Sequence, residues 1–184
     1  MKITFLGTGT STGIPTIGLD RESCFSDDPR DNRLRSSVMI EVDQQTFIVD
    51  TGPDFRQQML NAKVDNVDAV LFTHEHKDHV AGMDDLRAYN HKWKKDIEIY
   101  SSKRVEKALK REYHYIFSDH NYPGIPKVNI NIIDNNDFVI GDTIITPIEA
   151  LHYKLPVFGF RIKDFVYLTD LNFISNDEKK KLKN

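Results

Sequence analysis

Four apolar runs in this chain each close on a residue able to bind or orient a metal ion: Phe47-Ile48-Val49-Asp50, Val70-Leu71-Phe72-Thr73-His74, Ile148-Glu149-Ala150-Leu151-His152 and Tyr167-Leu168-Thr169-Asp170. A random scatter of His and Asp has no reason to favour strand exits. In layered α/β proteins, sites form where strand ends and their following loops converge. The pattern therefore predicts a β-rich α/β fold with interleaved helices and a site at the meeting of these exits.

The remaining punctuation fits that plan. Strands are expected at Ile3–Leu6, at Ser37–Val42 and Thr46–Asp50 around a short polar turn, and at Asp68–Thr73. Further strands are expected near Ile97–Tyr100, Val128–Ile133, Thr143–Leu151, Val157–Ile162 and Phe165–Thr169. Gly52-Pro53-Asp54 offers a turn with Asp54 as N-cap of a helix over Phe55–Ala62. Ser102 can cap a second helix whose apolar positions Val105, Ala108, Leu109, Tyr113 and Ile116 have helical spacing. A last helix begins near Asn176.

The chain has 184 residues, which suits one sizeable domain over 1–184. Hydrophobic residues make up 39 %, enough for a packed core. A net charge of −3 argues against bulk attraction to nucleic acid or an anionic membrane, and leaves room for a local basic patch. A single cysteine, Cys24, rules out an internal disulfide framework and suits a reducing cytosol. The N-terminal run turns into glycine too early for a secretory apolar region, and no apolar run nears membrane-spanning length. The expectation is a soluble, cytoplasmic protein without a membrane partner.

Within Thr73-His74-Glu75-His76-Lys77-Asp78-His79, alternate residues of an extended segment point the same way, so His74 and His76 can grip one ion together. Asp78 and His79 lie where a helix could begin and can turn toward a second ion. Two neighbouring ions can share a hydroxide, which generates a nucleophile at neutral pH and stabilises charge on the attacked group. Solvated loop polarity is the competing account, and three histidines with an aspartate in six positions weigh against it. The zincin pattern does not apply, because the position four after His74 is Asp78. Asp170 can bridge two ions through its two oxygens, and His152 is the candidate third protein ligand of the first. Asp50 is a candidate to accept a hydrogen bond from a ligand histidine and fix its tautomer; turn chemistry in Asp50-Thr51-Gly52 is the alternative.

Gly7-Thr8-Gly9-Thr10-Ser11-Thr12-Gly13 is not a nucleotide loop. Its glycines are spaced G-x-G-x-x-x-G, Ile14-Pro15 follows in place of a helix, and no Gly-Lys-Ser/Thr appears. A turn beside the site is expected there. His91, His114 and His120 sit among aromatic residues and are expected on helix surfaces or in the core. Lys154 and Arg87 could meet an anionic substrate, although solvated surface is the plainer expectation for both.

His74-x-His76-x-Asp78-His79 resembles the signature of the metallo-β-lactamase superfamily. Phe5-Leu6-Gly7-Thr8-Gly9-Thr10-Ser11-Thr12-Gly13-Ile14-Pro15, Asp28-Pro29-Arg30-Asp31-x-Arg33-Leu34-Arg35 and Asp84-Asp85-Leu86-Arg87 resemble its branch of PhnP-like phosphodiesterases, which is related to ribonuclease Z. The later His152-x-Lys154-Leu155 and Thr169-Asp170 fit as well. The resemblance implies an αββα sandwich and a dinuclear Zn2+ or Mn2+ site. The first ion would take His74, His76, His152 and Asp170, and the second Asp78, His79 and Asp170. Asp at 170 and His at 79 favour phosphodiesterases and thiolesterases over true lactamases. The implied activity is hydrolysis of a small phosphodiester or nucleotide-like substrate by a metal-held hydroxide that Asp78 helps to orient. Thioester hydrolysis of the glyoxalase type, or a metal-binding but catalytically silent domain, are the alternatives.

Two departures from the family pattern set further expectations. A cysteine cluster that holds a structural zinc in some members is reduced here to Cys24, and one thiolate cannot build a closed tetrahedral site. The family pattern also continues for about a further third beyond Asn184, with strands of the second sheet, a histidine ligand of the second ion and a histidine that protonates the leaving group. A fold incomplete on its C-terminal side, a weakly held second ion and an exposed edge favouring a homo-oligomer are expected from that.

Overall fold

A computed structural model of the chain describes residues 1–19, 26–118 and 123–183. Cys24, His120 and Tyr122 lie outside the described residues.

The described residues form two sheets, and which way each strand's side chains point follows from alternation. The first sheet has the order β1 (Lys2–Gly7), β2 (Ser37–Val42), β3 (Gln45–Val49), β4 (Ala69–Leu71), β5 (Ile97–Ser101) and β6 (Val128–Ile132). Its first three strands pair antiparallel, and β3 to β6 run parallel. The second sheet is antiparallel, in the order β10 (Phe165–Tyr167), β9 (Leu155–Ile162), β8 (Thr143–His152) and β7 (Phe138–Ile140).

Successive residues of a strand face opposite sides, and two separate cores result. Val38, Ile40, Phe47, Val49, Ala69 and Leu71 meet Ile145, Phe158, Phe160 and Ile162 of the second sheet. Their neighbours Met39, Ile48 and Val70 face the other way, onto helices. Those helices are α1 (Phe55–Ala62), with Phe55 and Met59 buried; α3 (Arg87–Trp93), with Tyr89 buried; and α4 (Lys103–Glu112), with Val105 and Leu109 buried. A 3-10 helix, Met83–Leu86, adds Met83 and Leu86 to that core. Val80 of the short helix α2 (Lys77–Val80) is buried in the same core, Ile116 and Phe117 of α5 (His114–Phe117) pack against it, and α6 (Asn176–Lys180) contacts β8. The fold is the expected metallo-β-lactamase-like α/β sandwich.

Several expectations change in detail. Ser102 caps α4 by accepting from the Val105 amide at 3.3 Å. Asp54 precedes α1 as expected but makes no side-chain cap. Its carboxylate accepts from the Arg35 amide at 2.8 Å and pairs with the Arg35 guanidinium at 2.9 Å, tying the segment before β2 to the helix. α4 ends at Glu112, with Tyr113 as the joint to α5. The strand expected at Asp68–Thr73 spans only Ala69–Leu71, because the chain leaves the sheet to build the loop with His74. Two elements carry too little pattern to be foreseen: β7, three residues with Val139 exposed, and α3, with a single buried residue. No helix among the described residues is long and apolar enough to cross a membrane.

Topology gathers the site. Parallel β3 and β4 end side by side, which places Asp50 next to the Thr73–His74 exit; the Asp50 amide donates to the Leu71 carbonyl at 3.0 Å. In the second sheet β8 and β10 each run antiparallel to β9, so they share a direction. His152 closes β8 and Asp170 follows β10 at that common edge. A bond from the Phe158 amide to the Thr73 carbonyl at 3.0 Å joins the two sheets at this end.

Candidate metal centre

Five of the six expected ligands fall into two groups that share His74. The ligand atoms of His74, His76 and His152 lie within 4.8 Å of one another, and so do those of His74, His79 and Asp170. His74 and His79 are buried, His152 and Asp170 are intermediate and His76 is exposed, so the cluster has a closed floor and an open mouth. Asp78 stands beside it, with Oδ2 3.1 Å from His79 Nε2.

The loops that carry these residues are laced together through their backbones. The Thr51 amide donates to the His79 carbonyl at 2.8 Å, and the Gly82 amide to the Thr51 carbonyl at 2.7 Å. Two glycines permit this approach: a Cβ at Gly52 would lie 2.1 Å from the Asp78 carbonyl oxygen, and one at Gly82 would lie 2.2 Å from the Gly52 carbonyl oxygen. Asp50 and Asp170 both adopt left-handed backbone, with φ of 64° and 53°. Non-glycine residues seldom take this conformation, although Asp is among the more tolerant.

Asp50 organises two of the histidines from below. Its side chain is fully buried; Oδ1 accepts from the Thr73 amide at 2.9 Å, and Oδ2 from the Thr73 hydroxyl at 2.8 Å and from His79 Nδ1 at 2.7 Å. Because the Thr73 proton goes to Asp50, the 3.0 Å contact between Thr73 Oγ1 and His74 Nδ1 must run the other way, with Nδ1–H as donor. The network thus assigns the Nδ1 proton on both rings and turns both Nε2 atoms toward the mouth of the site. There they meet the same atom: Asp170 Oδ2 is 3.2 Å from His79 Nε2 and 3.8 Å from His74 Nε2. Thr169 steadies Asp170 by donating to Oδ1 at 2.9 Å.

The electrostatics suit a cation. Burial pushes His79 down, but Asp50, Asp170 and Asp78 together outweigh it and hold the ring charged up to about 12. Burial and the charge on His79 push His74 down to about 4, so it stays neutral. The hydrogen bond from His79 holds Asp170 far below the usual carboxylate range against the opposing effect of burial. Without a metal, a proton on His79 answers the three carboxylates; a divalent ion would take over that role at Nε2. Imidazole and carboxylate donors in this number suit a divalent cation. The residues fit a metal group.

Other expectations resolve less uniformly. Lys154 is exposed, yet it lines a cavity of about 380 Å3 together with His76, His152, Arg104, Tyr153 and Leu155. Arg87 pairs at the surface with Asp84 at 2.9 Å. His91 and His114 are exposed on helices away from the cluster. Among the described residues, hydrogen bonds tie the Gly7–Gly13 loop to Arg33–Ser36 rather than to the six ligands. Its glycines are needed for that approach, since a Cβ at Gly7 would lie 2.0 Å from the Arg35 carbonyl oxygen.

Sequence reasoning gave no role to Thr73, although it directly precedes His74. It gave none to Glu75 or Arg104, whose contact joins residues 29 apart, with Arg104 Nε donating to Glu75 Oε1 at 2.6 Å.

Comparison with known proteins supports the fold. A family model described as a β-lactamase superfamily domain matches residues 45–184. The chain is 38 % identical over its full length to an octanoyltransferase of Porphyromonas gingivalis and covers 37 % of that protein, most of which therefore lies outside the match. It is 26 % identical to a ribonuclease Z of an Exiguobacterium species, over 88 % of this chain and 48 % of that one. The crystal structure of a diphosphatase from the PhnP family superposes with a TM-score of 0.89 at 33 % identity, covering 98 % of this chain and 69 % of that one. The chain thus spans less than half of each of the two sequence relatives.

Proposed function

We propose that this chain, which belongs to the β-lactamase superfamily, is the metal-binding part of a hydrolase acting on a phosphodiester or a related phosphoric anhydride. Asp170 Oδ2, lying between Nε2 of His74 and Nε2 of His79, is the observation that carries the proposal. A carboxylate that faces two oriented imidazoles could serve as a ligand shared by two neighbouring ions. We assign His74, His76, His152 and Asp170 to the first ion, and His79, Asp78 and Asp170 to the second. Zinc or manganese bound there would make water nucleophilic at neutral pH and offset the charge developing on phosphorus.

The chain's own residues do the rest. Asp50 and Thr73 hold the His74 and His79 rings so that no reorientation is needed as charge develops. Asp78, at the mouth beside His79, orients the attacking water. His76 and His152 form one wall of the adjoining cavity, so the reacting group enters from that side. The similarity to a PhnP-family diphosphatase at 33 % identity supports a phosphoric substrate over a β-lactam. The single cysteine of the sequence supports a reducing, cytoplasmic setting.

The test compares bis-(p-nitrophenyl) phosphate with nitrocefin on zinc- and manganese-loaded protein. The diester should turn over faster, and chelator should stop it. Faster turnover of nitrocefin would refute the assignment, and bound metal without turnover of either would reduce the chain to a metal-binding module.

A further inference from the structure

The most basic helix among the described residues, α4, has no part in the chemistry above. α4 carries Lys103, Arg104, Lys107, Lys110 and Arg111 against only Glu106 and Glu112, in a chain whose net charge is −3. Its apolar residues Val105, Ala108 and Leu109 are buried, which turns the cations outward, and Arg104, Lys107 and Arg111 share one stripe by helical spacing. A solvated face is the usual meaning of such a stripe. Here its position says more.

Arg104 stands where two concavities meet. One is the cavity of about 380 Å3 walled by His76 and His152 of the metal cluster, with Lys154 and Tyr153 on the hairpin after β8. The other, about 490 Å3, is lined by Glu75, Lys103, Arg104, Lys107, Ala108 and Arg111. The bond from Nε to Glu75 pins the Arg104 guanidinium while leaving both terminal nitrogens to donate elsewhere. Glu75 lies between His74 and His76, so this cation is anchored to the metal loop itself. Among the described residues Lys107 and Lys154 have no carboxylate partner; Lys154 rests 5.7 Å above the Tyr153 ring.

We propose that Lys154, Arg104, Lys107 and Arg111 form an anion track leading away from the metal cluster, which receives phosphates of the substrate beyond the one being cleaved. The proposal rests on the phosphoric-hydrolase assignment and narrows it to substrates with at least two phosphates. A helix rises about 1.5 Å per residue, which sets Lys107 about 4.5 Å and Arg111 about 10.5 Å along the axis from Arg104. That length accommodates the second phosphate of a nucleoside bisphosphate, or the backbone of a short oligonucleotide.

Calorimetry on the zinc-loaded full chain, with zinc content measured on the same samples, tests it. The ligands are thymidine 5′-monophosphate, thymidine 3′,5′-bisphosphate and tetrathymidylate. The bisphosphate should bind about tenfold more tightly than the monophosphate, as charge-assisted bonds to a second phosphate imply. Arg104→Gln with Lys154→Gln should erase that preference, while Arg104→Lys should keep part of it. Tetrathymidylate should bind more tightly still, with an advantage that Lys107→Gln and Arg111→Gln remove and a salt dependence that they flatten. Equal affinity for mono- and bisphosphate, or a preference that survives Arg104→Gln with Lys154→Gln, would overturn the track. A tetranucleotide no tighter than the bisphosphate would overturn its extension to Lys107 and Arg111. Zinc bound without phosphate discrimination would sink the track alone, and discrimination without bound zinc would sink only the metal assignment.

Discussion

Replacing Asp50 with Asn separates geometry from charge at the floor of the site. The substitution keeps the shape but exchanges one acceptor oxygen for an NH2 group. Asp50 now accepts three hydrogen bonds, from the Thr73 amide, the Thr73 hydroxyl and His79 Nδ1. The Asn oxygen can still take the Thr73 amide, but the NH2 then faces two donors. His79 must move its proton to Nε2, the atom aimed at the ion, and the Thr73 hydroxyl loses its reason to leave His74 Nδ1–H in place. Loss of one partner behind a metal ligand commonly costs about 10- to 100-fold in affinity, or about 1.4–2.7 kcal/mol. Because Asp50 stands behind two of the proposed ligands, one directly and one through Thr73, the upper end is expected. Thr73→Val breaks only the His74 arm and should cost about tenfold. Zinc affinity is read by competition with a chromogenic chelator, and ring tautomers by long-range proton–nitrogen correlation. Folded Asp50→Asn protein with native zinc affinity and native tautomers would refute the relay.

Two further expectations concern the scaffold. Gly52→Ala drives a Cβ to 2.1 Å from the Asp78 carbonyl oxygen and should cost about 1–3 kcal/mol in urea unfolding while weakening zinc binding; an unchanged midpoint would show that the two loops can part freely. Glu178 anchors α6 by accepting from the Asn135 side chain at 2.8 Å and the Glu149 amide at 2.9 Å, beside Lys181 at 3.1 Å. Burial acts to raise its carboxyl, but these partners prevail and hold it below its ordinary value of 4.5. A carboxylate with a depressed folded value stabilises at neutral pH and loses that contribution as pH falls through the folded value. Glu178→Gln should therefore speed amide exchange at Glu149 at pH 7, with the difference from wild type vanishing in acid; a difference that persists in acid would contradict this anchoring.

The sheets and most of the cluster were legible because their signals are local. Period-two alternation in Val38–Val42 and Phe47–Val49 sorts residues between the two cores, and strand exits mark Asp50, His74, His152 and Asp170. The convergence of those exits is a property of topology: β3 beside β4, and β8 in register with β9 and parallel to β10. The relay through Thr73 was hidden because a threonine hydroxyl has a direction only once both neighbours are placed. Arg104 was hidden because nothing in Lys103–Glu112 separates a solvated cationic face from one that opens beside histidines 28 and 48 positions away. Asp54 shows the converse: its local context fits a helix cap, and a distant guanidinium, Arg35, takes the carboxylate instead.

Anomalous diffraction at the zinc edge, on crystals of the zinc-loaded chain, addresses the central claim most directly. A peak is expected about 2.0–2.1 Å from an imidazole nitrogen of each of His74, His76 and His152. A second, weaker peak should lie by His79, Asp78 and Asp170, where three protein ligands serve in place of four. The first peak should disappear in His74→Ala with His76→Ala. Zinc bound elsewhere, or no peak among these six side chains at saturating metal, would contradict the account.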